Sequence, residues 1–225
     1  MAGTLEPVRT GLTSALDKAL HLNQGMVDAY LARARRSRPD AAPAEIVASL
    51  ERQYLAAVTT LGIGAGATAA MPGTGTAVGL AVNLAEVATF IEASAVFALA
   101  VAGVHGVRVD ELERRRTLVT AVLLGNGASS LVQKAAGRTG PYWGRNLARA
   151  IPMTTIHAVN RVLGPRFVTK YGTKQGILVL GRELPFGIGA AIGGGGNALL
   201  GRATVTAARR AFGPAPDLFL VPEPG

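Results

Sequence analysis

P-G-T-G-T-A-V-G-L-A-V-N, residues 72–83, is repeated in outline by P-F-G-I-G-A-A-I-G-G-G-G-N, residues 185–197. Each copy has a proline, then G-x-G-x-x-x-G, then an asparagine four residues beyond the last glycine of that motif. Residues four apart lie on one face of a helix, so each copy predicts a helix with a stripe that lacks side-chain bulk. The two stripes consist of Gly75, Gly79 and Asn83 in the first copy, and of Gly189, Gly193 and Asn197 in the second.

Small residues at this spacing favour close approach of two helix backbones. Glycine costs about 1 kcal/mol at an interior helix position, so a row of glycines implies a contact that compensates for it. The motif also looks like a dinucleotide-binding fingerprint, but that fingerprint follows a β-strand, and neither copy is preceded by strand-forming residues. Asn83 and Asn197 either hydrogen-bond each other across the contact or bond within their own helices.

The chain as a whole predicts an all-α protein, a helical bundle in which the two glycine-striped helices are closely packed. Apolar residues recur with helical spacing, and no segment has a strand pattern. Pro152 is expected to kink its helix, and Asp110 with Glu113 has the pattern of a capping box. The predicted helices cover residues 4–23, 25–38, 43–71, 76–103, 111–124, 128–136, 144–162, 166–181 and 185–212.

Composition divides the chain into three segments. Residues 1–36 form an N-terminal helical arm, residues 37–212 a helical domain, and residues 213–225 a proline-rich tail that we expect to be extended. The absence of Cys excludes disulfides and thiolate metal sites, and the first residues lack the apolar region of a signal peptide.

Charge is distributed unevenly, and the distribution indicates an anionic partner. The net charge is +9, yet residues 53–107 contain no Lys or Arg, and their only charges are Glu86 and Glu92. Residues 114–182, which we call the basic segment, contain twelve Lys or Arg and no acidic residue. Aromatic rings beside cations suit a lipid headgroup layer. We therefore take as candidate contacts with an anionic surface Lys134, Arg138, Tyr142, Trp143, Arg145, Arg149, Arg161, Arg166, Lys170 and Lys174.

Two uncharged or weakly charged stretches are long enough to raise the question of membrane insertion. Residues 54–71 have no charge, and residues 87–104 contain only Glu92. Three alternatives are open: a spanning hairpin, peripheral attachment, or a helical core in water. Glu92 is interpreted either as a buried carboxylate that pairs with an Arg of the basic segment, or as an ordinary residue on the helix surface.

No catalytic centre is visible in the sequence. His21, His105 and His157 have no metal-ligand spacing, and there is no phosphate-binding glycine loop. We accordingly expect no catalytic residues, no metal and no cofactor.

Motifs spread over roughly residues 37–212 resemble the EcsC family of bacterial helical proteins. In the C-terminal half the resemblance lies in R-F-V-T-K-Y-G-T-K-Q-G-I-L-V-L-G-R-E-L-P-F-G-I-G-A-A-I-G-G at residues 166–194 and A-A-R-R-A-F at residues 207–212. In the N-terminal half it lies in L-E-R-Q-Y-L at residues 50–55 and G-V-R-V-D at residues 106–110. The family is named for its occurrence beside an ABC transporter, and the resemblance implies an all-helical fold without an established reaction.

Taken together, these features predict a membrane-associated scaffold or accessory protein of the bacterial envelope. It would lie on the cytoplasmic face of the plasma membrane, bound to anionic lipid or to a membrane protein. A hydrolase acting on lipid or peptide is the alternative. A soluble nucleic-acid-binding protein is the third option, which the scarcity of aromatic residues disfavours.

Overall fold

The computed structural model describes residues 5–21, 24–69, 76–135, 142–147, 150–182 and 188–219, and within these ranges every regular element is an α-helix. The predicted all-α class is therefore confirmed. In chain order the helices are α1 (Leu5–Leu20), α2 (Gln24–Arg36), α3 (Pro43–Ala69), α4 (Thr76–Val104), α5 (Leu112–Leu124), α6 (Asn126–Ala135), α7 (Trp143–Asn146), α8 (Met153–Arg182) and α9 (Ile188–Phe212).

Helix α4 lies at the centre of the bundle. Residues 95–104 of this helix are apolar on every side, and residues 97–102 are all buried. A helix that is hydrophobic all round is stable only where protein or lipid surrounds it, and here α1, α2, α3, α5, α8 and α9 all contact it. Helix α1 belongs to the same core, because Leu12, Leu16 and Leu20 are buried in it.

Helix α9 packs most extensively along α3, and its contact with α4 is smaller. At Gly201 the side chains of α3 are so close that an added Cβ would lie 2.9 Å from Val58 Cγ2 and 3.1 Å from Leu55 Cδ2. A larger residue there would have to displace these side chains. Gly201 continues the spacing of the second stripe, whereas Gly75 and the surroundings of Gly79, Asn83, Gly189 and Gly193 lie outside the described residues.

Several predicted helix ends agree with the structure, and others are corrected. Helix α3 begins at Pro43, where Glu45 Oε2 accepts a hydrogen bond from the Ala42 backbone N–H at 2.9 Å. Helix α9 ends at Gly213, which has φ +72°. The capping box expected from Asp110 and Glu113 is wrong. The residue at the N-cap of α5 is Glu111, and its side chain makes no capping hydrogen bond.

The predicted kink at Pro152 is also wrong. Pro152 directly precedes α8, and its carbonyl accepts the Ile156 N–H at 3.1 Å, so the proline begins the helix rather than bending it. The predicted helices 144–162 and 166–181 are instead the short α7 and one long α8. Helix α8 runs through Pro165, which is exposed.

Candidate functional site

Part of the basic segment serves the fold itself. Arg114 Nη1 donates to the backbone carbonyls of Leu147 and Ile151 at 2.6 and 2.7 Å. Arg115 is buried and donates from Nη1 to the Leu20 carbonyl at 2.9 Å, at the last residue of α1. Carbonyls at a helix C-terminus have no hydrogen-bond partner within the helix, and they lie at the negative end of the helix dipole. A guanidinium there donates hydrogen bonds to them and places a positive charge at that end.

Arg145 and Lys170, both predicted to contact an anionic surface, act in the same way. Arg145 Nε donates to the Phe212 carbonyl at 2.6 Å, and its Nη2 donates to the Pro214 carbonyl, which closes the end of α9. Lys170 Nζ donates to the carbonyls of Leu123 and Leu124 at 2.7 and 3.0 Å, at the end of α5. These two cations therefore have structural roles at the ends of α9 and α5.

The aromatic residues of the segment also differ from the prediction. Trp143 is only 1% exposed and lies in the hydrophobic core, so it is not available to a headgroup layer. Tyr142 is half-buried, and the Arg145 guanidinium lies 5.1 Å from its ring centroid. Trp143 is therefore a core residue, and the Tyr142 ring lies beside Gly213 at the end of α9.

Three predicted contacts are both exposed and without a partner in the described part of the chain. They are Lys134, Arg161 and Arg166, whose side chains take part in no hydrogen bond or ion pair there. Arg138, Arg149 and the side chain of Lys174 lie outside the described residues.

Arg161 and Arg166 share one face of α8. We call this the α8 face, and it consists of the exposed residues Thr154, His157, Ala158, Arg161, Val162, Pro165, Arg166 and Thr169. Val162, which lies between the two arginines, is 40% exposed. The opposite side of α8 is in the core through Ile156, Val159, Leu163, Phe167 and Tyr171. The helix is thus amphipathic, with a cationic outer side.

The α8 face itself has no carboxylate. Glu113 of α5 is near its beginning, 3.8 Å from His157 Nδ1, and accepts a hydrogen bond from Asn160 Nδ2 at 2.7 Å. The part of the face around Arg161 and Arg166 is therefore positively charged without compensation among the described residues.

Glu92 has a different partner from the one predicted. Its carboxylate lies 2.8 Å from Lys18 Nζ of α1, and its side chain is 27% exposed. It joins α4 to α1, so the interpretation of Glu92 as a buried carboxylate paired with an Arg of the basic segment is corrected, and the partly exposed carboxylate is nearer to the alternative of a residue on the helix surface.

The buried carboxylate of α4 is Glu86, which sequence reasoning did not single out. Glu86 and Asn197 are 4% and 3% exposed, and Asn197 Nδ2 donates to Glu86 Oε1 at 2.9 Å. The sequence did mark Glu86 as unusual, since it is one of two charged residues in residues 53–107. Only the fold shows which of these two glutamates faces α9.

Within the described residues, one helical segment, Leu84–Val104, is long and apolar enough to span a membrane, and 67% of it is buried inside the protein. The same residues include no group of three His, Cys, Asp or Glu that could hold a metal ion.

Comparison of the whole chain with protein-family models, with curated proteins and with solved structures gives no match. The resemblance to the EcsC family therefore stays a prediction, and the function has to be argued from the geometry.

Proposed function

We propose that this protein is a non-catalytic, EcsC-like accessory protein that attaches peripherally to an anionic membrane surface, on the cytoplasmic side, through the α8 face. The observation that carries the proposal is the pair Arg161 and Arg166, exposed on one side of an amphipathic helix around the apolar Val162. Exposed Lys and Arg are attracted to the negative potential of an anionic lipid surface.

The strength of this attachment follows from the number of free cations. Each Lys or Arg near an anionic surface contributes about 1 kcal/mol, so Lys134, Arg161 and Arg166 together would contribute about 3 kcal/mol. Val162 alone offers little area for insertion. Binding would consequently be electrostatic and would weaken as salt shortens the Debye length.

The position of α4 supports peripheral attachment over a spanning hairpin. Leu84–Val104 is the segment with the composition of a membrane span, and most of it already contacts other helices. Insertion would expose the core surfaces of α1, α3, α5 and α9 to water. No comparable cost arises when the α8 face binds a surface from outside.

Flotation with liposomes tests the proposal. The wild-type chain should float with vesicles that contain anionic phospholipid, should remain behind with neutral vesicles, and should be released by high salt. Changing Arg161 and Arg166 together to Gln removes about 2 kcal/mol and should weaken binding about thirtyfold.

The matched control is the pair Arg33→Gln and Arg36→Gln, which removes the same charge from exposed positions at the end of α2. Equal weakening by both pairs would mean that net charge, not the α8 face, drives binding. Equal flotation with neutral and anionic vesicles would refute the electrostatic account, and tighter binding to duplex DNA would favour the nucleic-acid alternative.

A further inference from the structure

A cavity of about 600 Å³ opens at the surface where the start of α3 lies beside the end of α9. We call its uncharged side the apolar wall, which consists of Ala44, Val47, Ala48, Pro214 and Ala215. All five residues are exposed or half-buried, so a ligand can contact them. Open cavities of this size, with an apolar wall and a few polar groups, are where proteins bind small organic molecules.

Arg209 of α9 is fixed at the edge of this cavity by a buried carboxylate. Its Nε and Nη2 donate to the two oxygens of Glu51 at 2.7 and 2.5 Å. The Glu51 side chain is 8% exposed, whereas the Arg209 side chain is 66% exposed. The guanidinium is therefore held on its buried side, and its remaining N–H groups are accessible to a ligand.

The pair of Glu51 and Arg209 has a clearer role in orientation than in stability. Burying a carboxylate costs free energy, and an ion pair with a partner that is exposed to solvent offsets little of that cost. Two parallel hydrogen bonds to one carboxylate do fix the plane of a guanidinium. A guanidinium that is already fixed loses less conformational entropy when it binds an anion.

Arg210 and Tyr142 bring further donors to the same cavity. Arg210 is exposed, and its side chain has no hydrogen-bond or ion-pair partner among the residues that the structure describes. Tyr142 is half-buried, and its hydroxyl likewise has no hydrogen-bond partner among them. Thr206 also lines the cavity, but its hydroxyl already donates to the Arg202 carbonyl at 2.9 Å.

The charges and donors of the lining favour a phosphate group. Arg209 and Arg210 contribute two positive charges and Glu51 one negative charge, which leaves a net charge of +1. The Arg145 guanidinium lies 5.1 Å from the Tyr142 ring centroid and adds a positive charge behind that ring. Guanidinium groups match phosphate oxygens in pairs, and a phosphate monoester has three terminal oxygens where a carboxylate has two.

We infer that this cavity binds a phosphate monoester that carries an apolar group. The phosphate oxygens would accept from Arg209, Arg210 and the Tyr142 hydroxyl, while the apolar group would lie on the apolar wall. Soluble organic phosphates and the lipid phosphatidic acid both carry a phosphate monoester. The inference goes beyond membrane attachment through the α8 face and does not depend on it.

Calorimetric titration of the full chain with phenyl phosphate, in the absence of vesicles, tests the inference. Phenyl phosphate should bind with one-to-one stoichiometry. Inorganic phosphate lacks the apolar group and benzoate lacks the third oxygen, so each should bind about tenfold more weakly. The inference would be overturned if either of them bound as tightly as phenyl phosphate, or if phenyl phosphate did not bind.

Arg210→Gln tests the place of binding. It removes a charged donor from the cavity and should weaken the binding of phenyl phosphate by about tenfold or more. Arg202→Gln is the matched control, since Arg202 is an exposed arginine of the same helix that does not line the cavity. Equal weakening by the two variants would mean that phenyl phosphate responds to net charge and not to this cavity.

Glu51→Gln separates the orientation of Arg209 from simple charge. The variant removes a negative charge from the lining, so charge alone predicts tighter binding of phenyl phosphate. Loss of the fixed orientation predicts weaker binding, which is the expected result. Thermal melts check that the variant folds, which we expect because Arg209 is largely exposed without its partner. Unchanged or tighter binding by the folded variant would overturn the assignment of Arg209 to the phosphate.

Dihexanoyl phosphatidic acid, titrated below its micelle concentration, identifies the source of the phosphate. Binding tighter than that of phenyl phosphate would assign the site to the lipid, and weaker binding would assign it to a soluble phosphate. Flotation of Arg210→Gln with phosphatidylglycerol vesicles keeps this inference apart from membrane attachment. We expect flotation equal to that of the wild type, with weakened binding of phenyl phosphate. Parallel loss of both would overturn the independence of the two sites.

Discussion

The amide of Asn197 donates to the Glu86 carboxylate at 2.9 Å and joins α9 to α4 across 111 residues of sequence. Both side chains are almost fully buried. For Asn197 the contact adds a partner on another helix that the sequence did not suggest, while the side chain of Asn83 lies outside the described residues. A glycine-rich stretch of α9 thus ends in a polar contact with the centre of the bundle.

Replacing Asn197 by Leu should destabilise the protein by about 2–3 kcal/mol, because a buried carboxylate loses a donor. Chemical denaturation at neutral pH measures the change. The double variant Asn197→Leu with Glu86→Gln should recover part of the loss, since the group left without Asn197 is then uncharged. Equal stability of the single and double variants would show that Glu86 does not depend on Asn197.

Replacing Gly201 by Leu should destabilise the protein by about 1–3 kcal/mol, because the new side chain would overlap Val58 and Leu55 of α3. Gly195→Leu, with open space around its Cβ, should instead stabilise α9 by up to about 1 kcal/mol. Thermal melts of the two variants give the signs. A raised melting temperature for Gly201→Leu would mean that α3 and α9 are not held in close contact there.

Replacing Lys170 by Met should cost about 1.5–3 kcal/mol, because the carbonyls of Leu123 and Leu124 lose a charged donor. Arg166→Met, on the exposed side of the same helix, should change stability by less than about 0.5 kcal/mol. Urea unfolding of both variants separates the two classes of cation. Similar losses from both would remove the distinction between structural and free cations.

The stability of the protein should fall as the pH is lowered through the range in which free histidine titrates, because of His105. Its ring is 6% exposed, is stacked on Phe212 and donates from Nδ1 to the Val101 carbonyl at 2.9 Å. Burial lowers the pKa of His105 below its ordinary value, and the positive charge of Arg145 lowers it further. The unfolded chain therefore binds a proton at higher pH than the folded chain does, which favours unfolding as the pH falls.

His105→Gln should remove this dependence between about pH 7.5 and the lowered pKa of the folded protein. Unfolding free energies measured across that interval test it. His21→Gln, at an exposed position, serves as the control. A slope that is identical in the wild type and His105→Gln would assign the pH dependence to another group.

Thr120→Val should raise the stability of the protein by about 1 kcal/mol, because it replaces a buried hydroxyl that has no partner in the described part of the chain with a methyl group. The same substitution at Thr204, whose hydroxyl donates to the Leu200 carbonyl at 3.0 Å, should not stabilise. Thermal melts of Thr120→Val and Thr204→Val compare the stabilities of the two variants. Loss of stability in Thr120→Val would indicate that the hydroxyl already has a structural role.

Local signals predicted the fold class and several helix ends well. Pro43 and Gly213 mark real ends because a missing N–H or a positive φ acts on the backbone of that residue itself. Pro152 was misread because the same missing N–H is harmless in a first turn and costly in an interior one. Whether the proline lies in a first turn or in the interior depends on where the preceding residues pack. The spacing of apolar residues does not show where that is.

The candidate site was less accessible to sequence reasoning. Trp143 and Arg161 are both plausible headgroup contacts by residue type, yet one is in the core and the other is exposed. Glu51 and Arg209 are 158 residues apart, and only the packing of α9 along α3 pairs them. Such a feature arises from two helices brought together and has no local pattern.

The cations that close helix ends also affect how this chain should be mutated. Arg114, Arg115, Arg145 and Lys170 belong to the same uninterrupted basic stretch as Arg161 and Arg166. A charge-neutralisation scan across that stretch would destabilise one group of variants and spare the other. Loss of binding in the first group would then report misfolding, so a scan scored by binding alone would map the architecture of the bundle and mistake it for a footprint of the ligand.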